Sequence, residues 1–151
     1  MAVLRGNQVL SGSWAELWVN EQRVAEFNKI DAKITFNRED VQIGMNVDSK
    51  IVGCKGEGTL SLNKVFTRFA DAVDAAQGSQ DVRYRIRCSI KDPDSDGIED
   101  WTISNVWFTE MPLASWEVGK KAMTEIPFGF TPGSLKRASI IEPKEYETVE
   151  K

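Results

Sequence analysis

Apolar and polar residues alternate most cleanly over residues 82–91. Val82, Tyr84, Ile86, Cys88 and Ile90 fall on one side, and Arg83, Arg85, Arg87, Ser89 and Lys91 on the other. A period of two with one apolar side predicts a strand with one buried and one wet face. Asp96-Gly97 then supplies a hairpin signal. Residues 100–110, rich in Trp101, Ile103, Val106, Trp107 and Phe108, predict the antiparallel return. Upstream, Ile30, Ala32, Ile34 and Phe36 alternate with Lys29, Asp31, Lys33 and Thr35, predicting a long strand over 23–37. Val24 and Phe27 fall off that beat and predict a bulge near Asn28. Shorter strands are predicted at 13–19, with Trp14 and Trp18 as its bulky apolar members, at 58–63 with Leu60 and Leu62 inward, and at 114–118. A last one at 122–131 carries Ile126, Phe128 and Phe130 on one face. Pro127 lacks an N–H and predicts an edge or a bulge there.

One segment has helical spacing. Over residues 64–77, Phe66, Phe69, Ala70, Val73 and Ala76 form a stripe, with Asn63 as N-cap and Gly78 as the stop. Residues 37–57 fit neither period. Three glycines and seven charges are mixed with scattered Val and Ile, and the odd-numbered apolar set from Val41 to Val47 suggests a projecting hairpin arm that needs a partner to cover it. Residues 1–12 read as an arm, and 133–151 as a polar tail apart from Ile140, Ile141 and Tyr146. The sum is mainly β: an antiparallel sandwich or barrel of about seven strands, one packed helix and a long projecting loop.

Composition narrows the chemistry. At 151 residues the chain is a prior for one domain. Nineteen Lys and Arg against 23 Asp and Glu give a net charge of −4, which argues against a dedicated nucleic-acid binder. There is no histidine, which removes Ser-His-Asp triads, Cys-His pairs and His-metal sites. No apolar run is long enough to span a membrane or to serve as a secretory signal. The two cysteines, Cys54 and Cys88, do not make a disulfide framework and are expected as free thiols in a reducing setting, with Cys88 buried.

The remaining motifs favour structural readings. Asp92-Pro93-Asp94-Ser95-Asp96-Gly97 opens like a calcium loop, but its twelfth position is Ile103 and its flanks read as strands, so a polar hairpin tip is expected. The glycine-rich run 53–58 matches no phosphate-loop spacing and precedes a strand, so it reads as a flexible loop base. Arg83, Arg85 and Arg87 form a basic stripe without aromatic platforms on their own side; it reads as a solvated face or a contact with an acidic neighbouring subunit. No catalytic, metal-ligating or cofactor-binding set is expected.

Residues 12–24, AKITFNREDV at 32–41, GEGTLSLNKVFTRF at 56–69 and EIPFGF at 125–130 occur in an order that resembles the tail tube proteins of contractile phage tails. The likeness is strongest to the small subunits of PBSX-type defective prophage particles and R-type bacteriocins. It spans about residues 7–131 and includes neither the 92–100 tip nor the tail after 133. The resemblance implies a β-domain over 13–132 that forms six-subunit rings, stacked into a hollow tube. The tube conducts DNA, or depolarising current in a bacteriocin, across the host envelope. It implies an inter-ring loop at 37–57, with contacts from Arg38, Glu39, Asp40, Val41, Ile43, Lys50, Ile51 and Lys55. Asp31, Lys33, Thr35, Thr59, Ser61 and Asn63 would face the lumen, and Arg83, Arg85 and Arg87 an outer or inter-subunit surface. It also implies a sheath outside, baseplate and terminator proteins at the ends, and a place in a virion tail or phage-like particle assembled in the host cytoplasm. Two alternatives stand: a tube protein of a contractile secretion system, and a small-ligand-binding β-barrel.

Overall fold

The computed structural model describes residues 3–146. In chain order its elements are β1 (Ala15–Val19), β2 (Gln22–Arg23), β3 (Phe27–Ile43), β4 (Asn46–Asn63), α1 (Ala70–Gln77), β5 (Tyr84–Ile90), β6 (Glu99–Phe108), β7 (Met123–Phe130) and β8 (Leu135–Ser139). The chain is thus mainly β and antiparallel, with one α-helix, as the alternation predicts. It divides into two compact units, one from residues 3–25, 85–103 and 135–146, the other from 26–84 and 104–134.

In the first unit the strand order is β2-β1-β5-β6, with β8 also paired to β6. Asn20 and Glu21, at φ 49° and 70°, make the two-residue turn from β1 to β2. Leu17, Val19, Val24, Ile86 and Ile103 are the buried apolar set. The inward face of β1 is therefore Leu17 and Val19, not Trp14 and Trp18. Register explains this: Trp18 lies opposite Arg87, whose guanidinium sits 4.6 Å from the indole ring. Residues 135–139, read as part of a polar tail, are a strand paired with Asp100–Ile103. Backbone pairing on an open strand edge needs no apolar pattern, so the sequence carries little sign of it.

In the second unit the order is β6-β7-β4-β3. Leu60, Leu62, Val106, Ile126, Phe128 and Phe130 are buried. Three glycines let aromatic rings of the next strand lie flat on the ladder. A Cβ at Gly56 would stand 2.5 Å from the Phe130 ring, one at Gly58 2.6 Å from Phe128, and one at Gly129 2.8 Å from Trp107. The 53–58 run is therefore part of β4 rather than a flexible loop base. The predicted bulge is present as a register shift between Phe27 and Lys29. Pro127 is not on an edge strand, since β7 lies between β4 and β6. Its carbonyl accepts from Thr109 N–H at 3.0 Å, so its nitrogen faces the point where β6 stops and no ladder bond is lost.

The helix is shorter than its spacing predicts. It begins at Ala70, because Phe69 takes a left-handed φ of 63°. That turn sends the Phe69 ring against Tyr84 and Phe108, at centroid distances of 5.7 and 4.8 Å. Arg68 meanwhile reaches the buried Glu26 carboxylate through two hydrogen bonds. Asn63 caps nothing: it ends β4, its N–H bonded to the Glu26 carbonyl at 2.9 Å. Of the predicted stripe only Phe69 is buried and Val73 half-buried; Phe66, Ala70 and Ala76 are exposed. Residues 114–118 are not a strand but part of an irregular segment with Trp116 and Val118 exposed.

Candidate functional site

Side chains alternate across a strand, and residues opposite each other in a ladder share a face. The register Asp31↔Thr59, Lys33↔Glu57 and Thr35↔Lys55, with Lys29 opposite Ser61, sets one face of the β3–β4 hairpin. Glu57↔Gly129, Thr59↔Pro127 and Ser61↔Glu125 extend it onto β7. Ile30, Leu60, Leu62 and Ile126 turn to the other, apolar side. The six residues singled out for a lumen, Asp31, Lys33, Thr35, Thr59, Ser61 and Asn63, thus fall on one polar face. Asp31, Lys33, Thr35 and Thr59 are exposed, Asn63 is half-buried and Ser61 is buried. A groove of about 380 Å³ runs along this face between Asp31, Lys33, Lys55, Glu57 and Trp107. Lys33 Nζ and Glu57 Oε1 stand 4.0 Å apart within it.

Beyond Thr35 and Lys55 the same two strands continue as an arm. Residues 37–57, which fit no period, are strand apart from a two-residue turn at Gly44-Met45, with Gly44 at φ 60°. Arg38, Glu39, Asp40, Val41, Ile43, Lys50 and Ile51 are all exposed on it, whereas Lys55 belongs to the polar face at its base. Apolar side chains point both ways. Val41 and Ile43 share one side with Glu39 and Lys50, while Val47, Ile51 and Phe36 share the other with Asp40 and Arg38. Met45, at the tip, is 99% exposed and Val47 67%. Covering one such side chain fully is worth about 1.5–3 kcal/mol.

The basic stripe is neutralised within its own chain. Arg83 pairs with Asp81 at 2.7 Å, Arg85 with Glu21 at 3.6 Å, and Arg87 with Asp100 at 2.7 Å. The hydrogen bonds and charge of Asp100 raise the Arg87 pKa further. Arg83 and Arg87 also cover the rings of Trp107 and Trp18, so their aromatic partners come from other strands.

The acidic tip is committed to contacts within the chain. Asp92 is buried and accepts from the N–H groups of Ser11 and Asp94, both at 3.0 Å. Asp96 accepts from Tyr146 Oη at 2.8 Å and from Gln8 Nε2 at 3.2 Å, tying both flanking segments to the tip. Among the described residues no group of His, Cys, Asp and Glu is placed to hold a metal ion, and no helix is long and apolar enough to cross a membrane. Both cysteines are free. Cys54 is exposed on the arm side of β4, and burial pushes the Cys88 thiol up to about 11.

Sequence reasoning missed one surface. Leu113, Trp116 and Val118 are exposed on the segment between β6 and β7, which turns where Lys120 N–H meets the Glu117 carbonyl at 3.2 Å. The alternation of Ala114, Trp116 and Val118 was the available signal, but alternation marks a strand only where a ladder partner exists.

A family model described as phage tail tube protein matches residues 2–133. The phage-like element PBSX protein XkdM of Bacillus subtilis (strain 168) is 26% identical over 132 residues, covering 84% of this chain and 90% of that protein. The uncharacterized protein YqbM of the same strain matches to the same extent. Among solved structures, the sheath/tube terminator of the PVC extracellular contractile injection system, in its extended state, has a TM-score of 0.69 at 16% identity, over 86% of this chain and 96% of that one. The tube-terminating cap of the anti-feeding prophage also gives 0.69, at 15% identity, over 93% and 95%. At such identities the likeness is one of fold. The family match covers most of the sequence, and the chain belongs to the phage tail tube protein family.

Proposed function

We propose that this chain is the repeating, non-enzymatic subunit of the inner tube of a contractile tail. Six copies form a ring and rings stack into a hollow conduit. The arm of β3 and β4 reaches the adjacent ring, and the polar face carrying Asp31, Lys33, Thr35 and Thr59 lines the channel. The outer strand edge of β3, unpaired among the described residues, accepts a strand of the next copy. A sheath surrounds the tube, baseplate and terminator proteins close its ends, and the particle assembles in the host cytoplasm.

The observation that carries this reading is the arm. It is a regular ladder that exposes apolar side chains on both faces, so its cover comes from outside the subunit. The test removes it without disturbing the base. Residues 41–48 are replaced by an Asn-Gly turn that joins the paired Asp40 and Ser49. Tubes in negative-stain images of the unaltered protein, and folded but unpolymerised subunits of the shortened one, are the expected result. Normal tubes from the shortened protein would refute the arm's role, and a parent that stays monomeric at high concentration would refute the tube.

A further inference from the structure

A conduit for a polyanion has to avoid holding it, and each lysine that neutralises a phosphate adds to retention. Lysines at 29, 33 and 55 all lie on the polar face. The register places acids on the same face: Asp31 between Lys29 and Lys33 on β3, Glu57 opposite Lys33 and next to Lys55 on β4, and Glu125 opposite Ser61 on β7. Three cations therefore meet three anions, and the face sums to zero. Above the Trp107 ring, Arg83 brings its own counter-charge in Asp81 at 2.7 Å.

We infer that the polar face is a charge-compensated surface that lets a polyanion slide past without being retained, and that Glu57 is the residue that masks Lys33. The inference rests on that face being the channel wall. Its geometry has a physical logic. Same-face neighbours along a strand or across a ladder are about 4.5–7 Å apart, inside the screening length of about 8–10 Å at physiological salt, so a passing phosphate meets each lysine together with its acid. Compensation by alternation also keeps the wall polar, which a row of apolar residues would not. The masking is by proximity of charge: Lys33 Nζ and Glu57 Oε1 are 4.0 Å apart in the groove, an ion pair longer than a hydrogen bond.

The test uses dilute, unassembled full-length subunits and a fluorescent 20-base-pair DNA duplex, read by anisotropy across a salt series. The triple variant D31N/E57Q/E125Q leaves the lysines unmasked. A control, E110Q/E142Q/E145Q, makes the same change in net charge at positions outside the strands of that ladder. The triple variant is expected to bind at least roughly tenfold more tightly than the parent or the control at low salt. Its log affinity should fall with log salt at a slope of about 2–3, near 0.9 per phosphate contact. E57Q alone should give a slope of about 1, and K33Q/E57Q should return to the parent. Equal binding by the control, strong binding by the parent, or an E57Q gain that K33Q leaves in place would overturn the inference. Tube formation is scored separately by negative stain, so a protein that shows this pattern yet never polymerises refutes the channel while leaving the masking intact.

Discussion

The base and the arm of the β3–β4 hairpin are made of the same two strands, yet they live in different surroundings. At the base one face is sealed by β7: Phe128 and Phe130 lie on Gly58 and Gly56, and Leu60 is fully buried. In the arm no third strand is present among the described residues, and Val41, Ile43, Val47 and Ile51 are exposed on both sides. Strand pairing thus needs no buried face once the turn and register are set. What the arm lacks is a neighbour: the contrast locates the subunit's own stability at the base and leaves the apolar side chains of the tip open, where the proposed function puts association.

The contrast breaks most sharply by emptying the base. Phe128→Ala should cost roughly 3–5 kcal/mol in denaturant unfolding, from lost burial plus the cavity left behind. A loss under about 1 kcal/mol would mean that the rings do not hold the base.

Arg68→Ala should come next. Burial alone raises the Glu26 carboxyl pKa, but the hydrogen bonds and charge of Arg68 bring it below the ordinary value. With a depressed folded pKa, this pair's stabilisation is present above the unfolded value of about 4.3 and is lost as the pH falls through the folded one. Without Arg68 burial dominates and the folded pKa lies above the unfolded one. The acid-side dependence of this site should then reverse, with an overall loss of about 3 kcal/mol at neutral pH. Urea titrations between neutral and acid pH measure both, and an unchanged pH slope in the variant would contradict the pairing.

Gly58→Ala should cost about 1–3 kcal/mol, because its Cβ meets both the Phe128 ring and the Asp31 carbonyl. A neutral result would show that the ladder moves aside. Val47→Ser in the arm should change subunit stability by less than about 0.5 kcal/mol while weakening polymerisation. A large loss in the isolated subunit would place the tip within the fold's own core.

Thiol chemistry sharpens the same contrast most gently. Cys54 is open to solvent, whereas Cys88 is half-buried, not fully buried as its place in the alternation predicts, and its thiol, pushed up to about 11 by burial, stays protonated through the ordinary thiol range. A disulfide reagent at neutral pH should label Cys54 promptly and Cys88 only on unfolding. Equal rates would mean that β5 opens readily. Because the raised pKa belongs to the folded state, stability at this site should decline as pH rises above the ordinary thiol value of about 8.5.

What the sequence made legible follows the same division. Alternation found β5 and the buried face of β7, since each has one dry side; it also marked the inner half of β3, although Ile30 and Ile34 there are only half-buried and Ala32 and Phe36 are exposed. Even the irregularity at Asn28 showed, because Phe27 and Lys29 had to fall on particular faces. The arm did not show as strand, because two wet faces impose no period. β8 was hidden because its pairing is by backbone, and the start of α1 because Phe69 turns left-handed to reach an aromatic cluster distant in sequence. At the candidate site, the polar face was legible as a set of residues, while its charge balance was not: Glu125 joins Lys33 and Glu57 only through the register of β7 on β4.

The long hairpin has a kinetic consequence. Its turn at Gly44-Met45 brings Ile43 beside Asn46, and every further rung is adjacent to one already made. Ring closure is entropically cheap at such short separation, so this ladder can zip from its tip before distant segments arrive. On that order the appendage is born ahead of the body that carries it, and the newly made chain presents its exposed apolar tip while β7, which begins 60 residues after β4 ends, is still undocked. Under the proposed function, crowded synthesis of many copies then favours an early partner that covers the tip until rings stack.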